Sequence, residues 1–95
     1  MAAYVLAQLT IHDPTTFQQY REKVSPIVEA FGGHYRVRGG DITPLEGDLP
    51  ASRLVIIEFD DWDAAQHWYN SDAYQEILPL RLNSATGQAV IVDGI

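Results

Sequence analysis

The chain contains no cysteine, and only 6 Lys+Arg stand against 13 Asp+Glu. The missing thiols exclude disulfides, thiolate catalysis and cysteine-ligated zinc. The shortage of bases leaves a net charge of −7 at pH 7. A chain so acidic is poorly suited to phosphate backbones, so neither nucleic acid nor an anionic membrane surface is expected as a partner. No apolar run approaches the ~20 residues that span a bilayer. The apolar stretch Met1 to Ala7 carries no basic flank and no cleavage pattern before His12-Asp13, so a cytoplasmic location is expected.

Other signatures are also lacking. His12, His34 and His67 are far apart and form no H-x-x-x-H pair, and Asp60, Asp61 and Asp63 crowd a helix start instead of spacing themselves around a calcium loop. Gly39-Gly40 is followed by no Gly-Lys-Ser/Thr, and there is no G-x-S-x-G elbow. No metal and no cofactor are therefore expected.

What is present is one domain of 95 residues, 46% hydrophobic and 20% charged, the composition of a folded globule. Tyr4 to Ile11 alternates as a strand. Asp13-Pro14 offers an N-cap and a first helical residue, and Phe17, Tyr20, Val24, Ile27, Val28 and Phe31 follow as one helical stripe ended by Gly32-Gly33. Pro26 inside that stripe predicts a kink near Glu22 to Ser25. His34 to Arg38 reads as a strand with His34, Arg36 and Arg38 on one face and Tyr35 and Val37 on the other. A long connection with Pro44, Gly47 and Pro50 leads to the strand Arg53 to Phe59. Asp60-Asp61 caps a second helix whose Trp62, Ala65, Trp68 and Tyr69 share a face, with His67 turned to water. Asn70-Ser71-Asp72 breaks it, and Ser71 caps a continuation from Ala73 to Leu78. Pro79 is expected to bend or end that piece, with Asn83-Ser84 and Gly87 forming a turn before a last strand at Ala89 to Val92.

The resulting order, β-α-β-β-α-β with a broken second helix, predicts an α+β, ferredoxin-like four-stranded antiparallel sheet with helices on one side. Two helices can cover only one face of four strands. Yet Leu54 and Ile56 oppose Val55, Ile57 and Phe59, and Tyr4 and Leu6 oppose Val5, Ala7 and Leu9. Apolar residues on both faces of two strands require a second cover. The simplest is another copy of the same sheet across a two-fold axis, so a homodimer joined through the sheet face is expected.

Tyr4, Asp13-Pro14, Tyr20, Gly32-Gly33, Tyr35-Arg36-Val37-Arg38-Gly39-Gly40, Glu46-Gly47, Glu58-Phe59, Trp68-Tyr69-Asn70-Ser71, Tyr74, Arg81 and Val92-Asp93-Gly94 together resemble one family along the whole chain. It is the small bacterial family of unknown function numbered thirteen-thirty, within the dimeric α+β barrel superfamily. The resemblance implies the ferredoxin-like fold and the dimer, and no particular reaction. The superfamily holds cofactor-free monooxygenases, lactone isomerases, haem-degrading enzymes and plain ligand binders.

Several constellations carry possible chemistry, each beside a plainer reading. His34, Arg36 and Arg38 reverse the local sign of charge. They read either as a charged edge strand with ion pairs or as an anion or carbonyl pocket in which His34 moves a proton. Trp68, Tyr69 and Tyr74 around the helix break read as core, or as the wall of a cleft for a flat ligand. Glu46 and Glu58 are the carboxylates expected to pair with Arg36 or Arg38, or to act as a base. Arg81 answers a helix C-terminus or reaches back to the pocket. The ligand-binding candidates are thus Tyr20, Arg38, Trp68, Tyr69, Tyr74 and Arg81, and the acid/base candidates are His34 and Glu46. Two functions are open, beside the plainer reading of a protein–protein module whose dimer face is its only function. One is a small-molecule-binding homodimer with a pocket between sheet and helices for an aromatic or carboxylated ligand. The other is a cofactor-independent enzyme of the isomerase, dehydratase or monooxygenase type.

Overall fold

The computed structural model describes residues 1–49 and 52–95; Pro50, expected in the connecting loop, lies outside them. The chain runs β1 (Ala3–Ile11), α1 (Pro14–Ala30), β2 (His34–Arg38), β3 (Arg53–Phe59), α2 (Trp62–Asn70), α3 (Asp72–Ser84) and β4 (Ala85–Asp93). The strands form one sheet in the order β2-β3-β1-β4, antiparallel throughout, with Val5 opposite Ile57 and Ala7 opposite Ala89. This is the ferredoxin-like α+β fold.

The caps follow from the residues present. Asp13 accepts from the Thr16 N–H at 3.2 Å and from its hydroxyl at 2.7 Å, and Pro14 supplies the first helical residue, where no N–H is needed. Asp61 accepts from the Ala64 N–H at 2.8 Å. Ser71 ends α2 and starts α3, donating to the Trp68 carbonyl at 2.7 Å and accepting from the Tyr74 N–H at 3.2 Å. That double use of one hydroxyl produces the break in the second helix.

The core lies on the helix side of the sheet. Val5, Leu9, Ile57 and Phe59 meet Phe17, Val24 and Val28 from α1 and Trp68, Ile77 and Leu78 from the second helical pair, all buried. The molecule measures 33 × 32 × 16 Å between Cα extremes, the thickness of one sheet layer and one helix layer. The opposite face is apolar at its centre. Leu6 lies between Ile56 and Val90, and Tyr4 is opposite Val92. Val90 and Val92 are 51% and 49% exposed.

Three expectations are corrected. Pro26 lies inside α1 as expected, and Pro79, expected to bend or end its piece, also lies inside a helix that runs on past it. Each is exposed, so the carbonyl that loses its N–H partner can face water and the helix carries on. α3 therefore reaches Ser84 and β4 starts at once, with no turn at Asn83-Ser84. The junction is held by the Ser84 carbonyl, which accepts from His12 N and Asp13 N at 2.9 and 3.1 Å. Gly87 is a strand residue opposite Leu9; a side chain there would strike the Gln8 carbonyl. Finally, β2 does not place His34, Arg36 and Arg38 on one face. Tyr35 pairs with Ile57 but Val37 with Ile56, so a bulge at Arg36 shifts the alternation by one residue. Such a bulge re-aims whatever follows it. His34 stays on the open face opposite Glu58, whereas Arg38, opposite Val55, turns to the helix side with Tyr35.

Candidate functional site

A cavity lies between α1, the second helical pair and the sheet. Its floor comes from Val5, Ala7 and Leu9 of β1, Val55 and Ile57 of β3 and Ala89 of β4; its walls are Phe17, Tyr20, Val24, Trp68, Tyr69 and Tyr74; and Arg21, Tyr35, Arg38, Arg53 and Arg81 complete it. Its enclosed part holds about 50 Å³ for the centres of water molecules. An open groove of about 380 Å³ shares Val5, Tyr69 and Ala89 with it and is lined also by Trp62, Val90 and Ile91.

The lining is unusual in charge. The sequence has five arginines, and four of them, Arg21, Arg38, Arg53 and Arg81, line this cavity together with no Asp or Glu. The single ion pair among the described residues is elsewhere, Arg36 Nε to Glu58 Oε1 at 2.9 Å on the open face.

At the rim, the Arg38 guanidinium carbon sits 4.5 Å from the centre of the Tyr35 ring, and its Nη2 donates to Ser25 Oγ at 2.7 Å. This ties the end of β2 to α1. Arg53 lies 5.4 Å from the Phe17 ring centre and nests against Gly39, whose φ of 71° and missing side chain leave the guanidinium its space. Burial first, then the charges of Arg21 and Arg38, push the Arg53 proton affinity below its ordinary value.

Deeper in, Tyr20 and Tyr74 share a hydrogen bond, Oη to Oη at 2.9 Å, and Trp68 stacks on Tyr74 with ring centres 4.2 Å apart. Burial raises the pKa of both phenols above the usual tyrosine value. For Tyr20 the paired Tyr74 adds to the rise, and for Tyr74 the Arg81 charge opposes it. Both therefore remain protonated near neutrality and can donate hydrogen bonds. Arg81 is only 8% exposed.

Among the described residues, three buried side-chain nitrogens or oxygens lack a hydrogen-bond partner: Arg53 Nε, Arg81 Nε and Trp68 Nε1. All three are donors and all belong to residues of this one cavity. Buried donors left unmatched are costly, and a buried cation without a counter-charge more so.

Of the residues singled out in the sequence, Tyr20, Arg38, Trp68, Tyr69, Tyr74 and Arg81 are brought together around the cavity. The two acid/base candidates are not. His34 is exposed on the other side of the sheet, and Glu46 is exposed in the loop after β2. Glu58 is spent on Arg36. Sequence reasoning missed Arg21 and Arg53. Arg53 was findable, since it shares the alternation of Val55, Ile57 and Phe59; Arg21 is signalled only by its place beside Tyr20. Among the described residues, no three His, Asp or Glu side chains gather to hold a metal ion, and no helix is long and apolar enough to cross a membrane.

The fold and its cavity define a ferredoxin-like α+β protein, and the known structures agree. A protein of unknown function from Rhodopseudomonas palustris superposes with a TM-score of 0.75 at 17% identity, covering 99% of this chain and 82% of that one. A dimeric ferredoxin-like protein of unknown function from Thermobifida fusca gives 0.67 at 16%, covering 99% and 92%. SnoaB, a cofactor-independent oxygenase from Streptomyces nogalater, gives 0.63 at 10%, covering 99% and 93%. No curated protein matches the chain. The family model described as Domain of unknown function (DUF1330) matches residues 2–95, and the chain belongs to that family.

Proposed function

We propose that this protein is a homodimer, joined through the open faces of its sheets, that binds a small carboxylate with a flat apolar body in the arginine-lined cavity. The observation that carries the reading is that the unmatched buried donors, from Arg53, Arg81 and Trp68, all surround one acid-free cavity. A carboxylate accepts from guanidinium forks in a parallel, charge-assisted pair, and Tyr20 or Tyr74 can add a phenol donor. The aromatic walls suit a planar body. The enclosed space is smaller than the ~300–1,000 Å³ of typical ligand pockets. The exposed Arg21 and Arg38 side chains, on long flexible stems, leave that part of the wall free to adjust to a larger body. The dimer rests on the apolar open face, and the structural relatives described as dimeric point the same way.

The enzyme reading draws on the fold shared with SnoaB. It is less well supported, because His34 and Glu46 stand away from the cavity and both phenols hold their protons.

Thermal melting with benzoate and with its neutral analogue benzamide tests the binding reading. Benzoate at 100 times its Kd should add about 2.7 kcal/mol of stability, with benzamide far weaker. Equal stabilisation by both, or none by benzoate and substituted benzoates, would overturn it.

A further inference from the structure

We propose that the natural ligand carries two acid groups rather than one, an aromatic diacid held between two separate cationic positions in the cavity; this rests on the anion-binding reading above. The unmatched arginine donors lie on different parts of the wall. Arg81 comes from α3, which leads into β4, and sits with the Tyr20–Tyr74 pair. Arg53 opens β3 on the other side of β1, with Leu9 as its cross-strand neighbour, and shares the rim with Arg21 and Arg38.

Charge counting separates one acid group from two. A monoacid bound at Arg81 answers one guanidinium and leaves the rim trio facing one another, with Arg53 Nε still unmatched. The three are like charges lining one cavity, and Arg21 and Arg38 add to the effect of burial in lowering the Arg53 pKa. Bound at the rim instead, a monoacid leaves the more deeply buried cation, Arg81, beside the neutral Tyr74 phenol with no counter-charge and its Nε unmatched. Two carboxylates on one molecule satisfy both positions. The floor of the cavity is apolar, with Ala7 and Val55 paired across β1 and β3, which suits a flat hydrocarbon spacer.

The probes are benzoate and the three benzenedicarboxylates, phthalate, isophthalate and terephthalate, whose acid groups stand progressively further apart. By calorimetric titration at fixed ionic strength, at least one diacid should bind the wild-type protein about tenfold or more tighter than benzoate. Arg53→Gln should remove that advantage, bringing diacid affinity down to that of benzoate in the same variant. Arg38→Gln, an exposed substitution that does not threaten folding, should reduce the advantage in part. Diacids that bind no tighter than benzoate would overturn the two-acid proposal while leaving the anion-binding reading intact. Failure of benzoate and all three diacids to bind would remove both. A diacid advantage unchanged in both variants would show that the rim arginines do not hold a second acid.

Discussion

The two faces of the sheet handle charge in opposite ways. On the open face the aliphatic centre of Leu6, Ile56 and Val90 is bordered by a cation that already has its anion, Arg36 with Glu58 at 2.9 Å. On the helix face four arginines share a cavity with no carboxylate, and Arg81 is nearly out of contact with water. A chain with 13 acidic residues had ample means to neutralise that cavity. An apolar patch with a paired rim is suited to meeting another protein surface. Unmatched donors in an apolar pocket are suited to meeting a small anion, because folding alone would favour replacing them with hydrocarbon. One face is thus apolar with its bordering cation paired, and the other gathers cations without a carboxylate.

The sharpest contrast comes from truncating each face. Trp68→Ala, in the helix-side core, should cost about 3–5 kcal/mol, measured by denaturant unfolding, with the same loss at every protein concentration. Leu6→Lys on the open face should instead act through association. It should weaken the dimer at least about a hundredfold, or roughly 3 kcal/mol, giving 10.6 kDa monomers in sedimentation at micromolar concentration. If wild-type protein sediments as a monomer there, the open face has no part in dimerisation.

A smaller effect separates the faces by pH. Tyr20 and Tyr74 have folded-state pKa values above the unfolded value of about 10, through burial. The unfolded chain releases these protons first, so their contribution to stability is complete below pH 10 and falls as the pH climbs above it. Melting should be flat between about pH 7 and 9 and decline steeply beyond 10, less so in a Tyr20→Phe, Tyr74→Phe double variant. An identical alkaline decline in that variant would assign the loss to other groups. Smallest of all, Ser71→Ala should cost about 1 kcal/mol through the lost cap of α3, with dimerisation and benzoate binding unchanged.

Much of this was legible in the residues. The bounds of β2 and β3 were legible to the residue, and Asp13, Asp61 and Ser71 announced their helix starts, because these are local effects. The apolar open face was legible for the same reason. What escaped depended on solvent exposure or register. The helix runs on past Pro79 because that residue faces water, a fact of the helix's orientation and not of the dipeptides around it. The bulge at Arg36 has no glycine or proline to mark it. It separates Arg38 from His34, and with that separation the apparent histidine–arginine row dissolves. The aromatic and arginine set from Tyr20 to Arg81 was recognisable as a group, while the pairing of Arg53 with the rim required the sheet register.

The most direct measurement is the melting temperature of Arg81→Met with and without benzoate. If Arg81 is kept for an anion, the variant without ligand should be more stable than wild type, by about 1–4 kcal/mol as seen when unneeded buried charges become hydrocarbon, and benzoate should no longer raise its melting temperature. A variant that melts lower than wild type and still responds fully to benzoate would mean that Arg81 supports the fold and that the cavity was not built around a charge.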